Sequence, residues 1–133
     1  MTLVVVPVRY PLSDHSRATL ERAAEVAADH DADLTVLHVD LYQSDGDVTR
    51  AELKAAIEGA VGRIERARYV VRSGFLVEET ILDEVAGENA DYVVIGRKQT
   101  SRWRRAVRRL LDDPDVEGFL QRELSCEVIT ASP

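Results

Sequence analysis

The stretch ADYVVIG at residues 90–96, which runs into RKQTSRWRRAVRR at residues 97–109, decides the fold. An apolar run that ends at a glycine is typical of a buried strand whose carboxyl end opens into a loop. In open parallel sheets, ligands bind beyond the carboxyl ends of the strands. The sequence therefore predicts that any ligand site lies just after Gly96.

Four further apolar segments resemble residues 90–96 in character. They cover residues 3–8, 34–39, 68–72 and 126–131. Continuous rather than alternating hydrophobicity indicates strands buried on both faces, as in a parallel sheet. Pro7 has to end the first strand, because a proline in mid-strand removes a ladder hydrogen bond. The flanking charges and the shortness of residues 68–72 predict an edge strand.

Helical periodicity separates these strands, and Ser13 or Asp14 can cap the first helix. The predicted helices cover residues 14–30, 48–66, 75–88, 100–111 and 116–123. Alternating strands and helices with short connections predict one domain over residues 1–133. Its fold class is α/β: a doubly wound, five-stranded parallel sheet with helices on both faces.

Composition limits the class of protein. The 133 residues carry a net charge of −7, and 15 of the 17 basic residues are Arg. An acidic, Lys-poor surface fits a protein kept soluble at high salt, and it equally fits a genome biased towards Arg. Cys126 is the single cysteine, so no intrachain disulfide forms and a reducing compartment is expected. With neither a signal peptide nor an apolar run of ~20 residues, we expect a cytoplasmic protein without a membrane partner.

The basic segment, residues 97–109, holds seven basic residues and no acidic one, on a chain that is otherwise strongly acidic. One interpretation is an anion site at the carboxyl edge of the sheet. Its four cations would be Arg9, Arg97, Lys98 and Arg102. The other is a segment that pairs with an acidic surface of its own chain or of a protein partner. Nucleic acid is not an expected partner, because the overall acidity opposes it.

Catalytic patterns are missing from the sequence. His15, His30 and His38 do not have metal-ligand spacing, and no nucleophile–base pair, paired carboxylates or Cys/His cluster is visible. We expect structural roles for His38, at a strand end, and for Cys126, at a strand start. No enzyme is predicted, although slow ATP hydrolysis stays open.

Four segments together resemble the universal stress protein family in order and spacing. They are Val5-Val6-Pro7-Val8, residues 32–39, residues 90–96 and residues 126–129. The resemblance implies the strand order 3-2-1-4-5. It also implies homodimers, commonly through antiparallel pairing of the fifth strands, which here would involve Val128 and Ile129.

Part of that family binds ATP, and this sequence departs from the ATP-binding pattern. Those members resemble Val-Pro-Val-Asp-Gly after the first strand, where this chain has Arg9 and Tyr10 in the last two places. After the fourth strand they carry a glycine, two residues, a second glycine, nine residues, and a glycine followed by Ser or Thr. Here Gln99 replaces the second glycine. The final pair falls on Arg109-Leu110 or, with an insertion, on Pro114-Asp115.

The sequence therefore predicts a non-catalytic stress-response or regulatory domain with a degenerate nucleotide site. ATP is not the favoured ligand, and no cofactor is assigned. One alternative is a nucleotide-binding protein with a rebuilt basic loop. Its nucleotide- or anion-binding residues would be Pro7, Val8, Arg9, Val39, Gly96, Arg97, Lys98 and Arg102. Another is a ligand-sensing regulatory domain that works beside a transporter or another partner.

Overall fold

The computed structural model describes residues 2–42, 48–75, 77–96 and 126–131. The strands are β1 (Leu3–Pro7), β2 (Asp33–Leu41), β3 (Ala67–Gly74), β4 (Tyr92–Gly96) and β5 (Glu127–Ala131). The helices are α1 (Asp14–Asp29), α2 (Arg50–Val61) and α3 (Val77–Glu88). The predicted helices over 100–111 and 116–123 and the basic segment lie outside the described residues.

The sheet is parallel, with its strands in the order β3-β2-β1-β4-β5. This confirms the parallel pairing and the strand order expected from the sequence and the resemblance. Pro7 is the last residue of β1, and Val8 after it donates its amide hydrogen to Leu37 O at an N···O distance of 2.8 Å. The proline therefore ends the strand, as its missing N–H requires.

Helices cover both faces of the sheet, as predicted. Successive residues of a strand face opposite sides. Val4 and Val6 accordingly pack with α1 and α2, whereas Val5 packs with α3, and all three side chains are fully buried. Because β1 lies between two helical layers, its sequence is a continuous apolar run rather than an alternating one.

Local capping decides where the first two helices begin and end. Ser13 caps α1 and accepts a hydrogen bond from Ser16 N at 3.1 Å. Thr49 caps α2 in a capping box with Glu52. The predicted end of this helix at residue 66 is wrong, because Gly62 adopts φ +80° and ends it. A glycine adopts a positive φ at little cost in conformational energy, because it has no Cβ atom, so it is a common helix terminator.

The edge position of β3 is confirmed, but its predicted shortness is wrong. β3 has eight residues, and its pairing with β2 continues to Ser73 opposite Asp40 and Gly74 opposite Leu41. Serine and glycine are weak strand formers, so this extension comes from pairing with the neighbour rather than from local preference. α3 begins at Val77, two residues later than predicted.

β5 forms the opposite edge of the sheet, where Val128 and Ile129 are half-buried. Pairing of two fifth strands in a homodimer stays a prediction. Within the described ranges, every helix is too short or too polar to cross a membrane.

Candidate functional site

The carboxyl edge of the sheet gathers most of the predicted site residues that the structure describes. The chain passes from β1 outward to β2 and β3 and then returns to β4, so the strand order reverses between β1 and β4. A crevice beyond such a reversal is where open α/β sheets bind ligands. Pro7 and Val8 lie at the end of β1, Val39 lies near the end of β2, and Gly96 ends β4.

The side chains of these residues differ in what they offer to a ligand. Pro7, Val8 and Val39 are buried, so they contribute shape and backbone groups rather than side-chain chemistry. Arg9 is exposed, and its amide hydrogen is donated to Ser16 Oγ at 3.3 Å, beside the start of α1. The other three predicted cations, Arg97, Lys98 and Arg102, lie outside the described residues.

His38 joins the end of β1 to the end of β2. Its Nδ1 lies 3.1 Å from Val8 O, and because a carbonyl oxygen only accepts, the imidazole donates this hydrogen bond. Its Nε2 lies 3.7 Å from Asp40 Oδ1. Asp40 in turn accepts a hydrogen bond from Val48 N at 2.8 Å. His38 is therefore a structural tie, as predicted, and it holds the loop after β1 in position.

Tyr10 lies over this tie. Its ring meets the His38 ring edge-on, with centroids 6.1 Å apart and planes at 61°. Tyr10 is also partly buried against the apolar cluster beneath α1 and α2. A phenol ring thus packs on His38 near the end of β2, at a position where the ATP-binding pattern has a small residue.

The packing around Gly96 leaves little room for a side chain at this position. A Cβ atom at this position would lie 3.2 Å from Thr19 Oγ1, closer than most Cβ contacts. Thr19 is buried in α1, and its hydroxyl donates to His15 O at 2.8 Å. The glycine therefore leaves room for Thr19 of α1 at the end of β4, and this packing is one reason for a glycine here.

Sequence reasoning missed three features that shape this edge: Thr19, Asp40 and the ring contact of Tyr10 with His38. A signal for the buried position of His38 was present. His38 follows Leu34 and Val36 at a spacing of two, which predicts that it shares their buried face beneath α1 and α2. The Thr19 contact joins two elements far apart in the chain and leaves no local pattern.

Two exposed aromatic rings lie farther along the same edge. Tyr42 follows β2 and Phe75 follows β3, with ring centroids 4.7 Å apart. Their exposed fractions, 60% and 72%, are the largest among big apolar side chains of the described residues. The two rings form a small apolar rim next to the outer strands.

Cys126 offers no reactive group. It is 1% exposed, and burial, with smaller effects from Asp91 and Glu127, raises the pKa of the thiol to about 12. A thiol that stays protonated is a poor nucleophile and metal ligand. In the part of the chain that the structure describes, no three His, Cys, Asp or Glu side chains are grouped to hold a metal ion.

Comparison with known proteins agrees with this architecture. The model of the universal stress protein family matches residues 1–113. A universal stress protein in complex with cAMP is similar with a TM-score of 0.56 at 19% identity, over 96% of this chain and 95% of that chain. A family protein from Burkholderia pseudomallei has a TM-score of 0.60 at 18% identity, over 97% and 94% of the two chains. No curated protein sequence gives a significant match.

A third structure, the universal stress protein from Archaeoglobus fulgidus in complex with dAMP, has a TM-score of 0.57 at 17% identity. The similarity covers 98% of each chain. Identities this low show a shared fold and leave the ligand open. The family model, by contrast, covers most of the sequence. The chain therefore belongs to the universal stress protein family.

Proposed function

We propose that this protein is a non-catalytic regulatory domain whose carboxyl-edge site does not bind ATP in the manner of the glycine-loop members of its family. The proposal rests on the Tyr10 ring, which meets the His38 ring edge-on and is partly buried against the apolar cluster beneath α1 and α2. A ligand entering beside β1 would have to displace this ring from its partly buried position.

The residue before Tyr10 supports the same conclusion. Arg9 is exposed and cationic, at the position where the ATP-binding pattern has an aspartate. A guanidinium and a carboxylate recognise opposite partners, because the first only donates hydrogen bonds and the second only accepts them. The groups that an Asp would bind at this position are therefore not recognised by Arg9.

The missing glycines bear on phosphate binding. Glycines let backbone N–H groups approach a phosphate closely. Gln99 stands at the second glycine position of the pattern, outside the described residues, and Gly96 has a close packing contact with Thr19 that offers another reason for a glycine there. Neither position then supports a loop selected for a triphosphate.

Calorimetric titration with Mg-ATP tests this function. We expect no saturable heat for the wild-type protein at micromolar concentrations. In Tyr10→Ala the ring is gone and the site opens, so nucleotide affinity should rise by about tenfold or more. Tyr10→Phe is the matched control and should behave as wild type, because it keeps the ring. A low-micromolar Kd for wild type, or an unchanged affinity in a folded Tyr10→Ala protein, would contradict the proposal.

The second candidate is a nucleotide-binding protein that uses cations in place of the glycine loop. Two similar structures favour it, because they are described as complexes with cAMP and dAMP. Under this alternative, Arg9 and the cations of the basic segment contact the phosphate. The same titration with cAMP and dAMP separates the candidates: binding that weakens in Arg9→Ala supports the second, and no binding supports the first.

A further inference from the structure

Two glutamates lie one helical turn apart on α3, on the side that faces the sheet. The side chains of Glu84 and Glu88 are each only 11% exposed. Carboxylates at this i, i+4 spacing are neighbours on a helix surface, and like charges there are unfavourable. Groups on the neighbouring strands therefore have to compensate the repulsion between the two carboxylates.

The negative charge of Glu84 is compensated by one guanidinium group. Arg72 of β3 donates from Nε to Glu84 Oε2 at 2.8 Å and from Nη2 to Glu84 Oε1 at 3.2 Å. This fork places a donor on each carboxylate oxygen, which is the geometry that favours the ionised acid. Burial is the largest influence and opposes ionisation, but the hydrogen bonds with Arg72 and Glu88 and the attraction of Arg72 and Arg68 together outweigh it, so the pKa of Glu84 is lowered.

The two carboxylate oxygens of Glu88, unlike those of Glu84, lie in unequal environments. Arg68 and the Thr35 hydroxyl both donate to Oε1, the latter at 2.9 Å. The second oxygen, Oε2, is buried and accepts no hydrogen bond in the described structure. A buried carboxylate oxygen without a donor is costly, unless a proton turns it into a donor itself.

Three features favour that proton on Glu88. Burial is the largest, the neighbouring Glu84 is the next, and together they raise the pKa of Glu88 against the opposing effects of Thr35 and Arg68. The third is position: Glu88 is the last residue of α3, at the negative end of the helix dipole.

The charged groups around the pair come from two elements. Arg68 and Arg72 face it from β3, and β2 contributes the uncharged Thr35. Asp33 lies two residues before Thr35, on the same side of β2, but its carboxylate is held by Arg66 at 2.7 Å. The immediate balance is thus two guanidinium groups against two carboxyl groups.

We propose that Glu84 and Glu88 share one proton in the folded protein, carried by Glu88. This proton removes the repulsion between the two carboxylates, so that their contacts with Arg68, Arg72 and Thr35 anchor the end of α3 to the sheet. Glu88 leads through Asn89 and Ala90 into β4, which ends at the candidate site. Loss of the proton places two negative charges one turn apart and weakens this anchor.

The direction of the pH dependence follows from linkage. Glu88 binds its proton more readily in the folded than in the unfolded chain. Its contribution to stability is therefore complete below the unfolded-state pKa, for which the ordinary value is 4.5, and it is lost as the pH rises through the folded-state pKa. Glu84 acts oppositely, and its contribution is lost as the pH falls through its lowered pKa.

A carboxyl-detected NMR titration of the wild-type protein tests the proposal without any substitution. The ¹³Cδ shifts of Glu84 and Glu88 are followed with pH, and Glu25, whose side chain is 66% exposed, serves as the reference in the same spectra. We expect the midpoint of Glu88 above that of Glu25 and the midpoint of Glu84 below it. A Glu88 midpoint at or below that of Glu25 would overturn the proposal.

Glu88→Gln gives a second, independent readout. The amide keeps an acceptor oxygen for Thr35 and Arg68 and supplies a permanent N–H donor towards Glu84. We expect the urea midpoint of Glu88→Gln to rise relative to wild type as the pH increases, and Glu25→Gln to show no such trend. A Glu88→Gln protein that is destabilised equally at every pH would show a merely structural ion pair and would refute the shared proton.

Discussion

The two faces of the sheet hold their buried polar groups in different ways. Beneath α1 and α2, the Thr19 hydroxyl donates to His15 O at 2.8 Å and His38 bonds to Val8 O at 3.1 Å. Both partners are backbone carbonyl oxygens. These two bonds therefore depend on backbone geometry, although the other ring nitrogen of His38, Nε2, also lies 3.7 Å from Asp40 Oδ1.

Beneath α3 the polar groups are charged. Arg72 meets Glu84, and Arg68 with Thr35 meets Glu88. These contacts join side chains, and their strength depends on protonation. The loop after β1 and the end of β4 are thus held largely by bonds to the backbone and by close packing, whereas α3 is attached through ionisable side chains, and we expect this attachment to respond to pH.

Removing a buried apolar side chain should lower the free energy of unfolding by a similar amount on either face of the sheet. Leu20 of α1 and Ile81 of α3 are both fully buried, one on each face. We expect Leu20→Ala and Ile81→Ala each to lower the free energy of unfolding by about 3 kcal/mol, through lost burial and the cavity that remains. Urea denaturation at neutral pH measures both. A cost below ~1 kcal/mol for Ile81→Ala alone would mean that the α3 face is loosely packed, and the comparison would then fail.

Removing one buried hydroxyl group from each face should change stability differently on the two faces. Thr35→Val removes a donor to Glu88 Oε1 and should cost about 1 kcal/mol. The cost should grow with pH, because the lost donor stabilises the ionised form of Glu88. Thr19→Val is the matched control on the other face, and its smaller cost should not change with pH. Urea denaturation at acidic and at neutral pH measures both costs. An identical pH trend in the two variants would contradict the difference expected between the faces.

The fold could be predicted because its signals are local. The apolar runs of β1 and β4, the proline at the end of β1 and the Ser13 cap each occupy a few consecutive residues. The end of α2 was predicted wrongly for a local reason, the positive φ of Gly62, whereas the length of β3 was predicted wrongly because a distant element decides it. β3 continues through Ser73 and Gly74 because β2 lies beside it, and nothing in those two residues indicates a strand.

The site was harder to predict for the same reason. Its position followed from the strand order alone, and the sequence indicated the unusual Arg9 and Tyr10. The packing of Tyr10 on His38 and of Thr19 on Gly96 joins residues from separate elements, so no spacing in the sequence reveals it. The Glu88 proton depends on burial and on four neighbouring groups, which only the folded chain assembles.

The smallest expected effect concerns Gly96 on the α1 face. In Gly96→Ala the new Cβ lies 3.2 Å from Thr19 Oγ1, so the Thr19 side chain must give way by a few tenths of an ångström. We expect a loss of about 0.5–1 kcal/mol, since the entropy advantage of alanine offsets part of the clash. In a Thr19→Ala background the oxygen is gone, and the same substitution should be neutral or slightly stabilising.

A double-mutant cycle on Gly96 and Thr19, measured by urea denaturation, isolates this coupling. A coupling of about 0.5 kcal/mol or more means that Gly96 is required by packing beneath α1. If the two substitutions are additive, the contact does not explain the glycine. Close approach of a ligand to the end of β4 would then be the better reason for it, and the proposal of a site that no longer binds ATP would lose one of its supports.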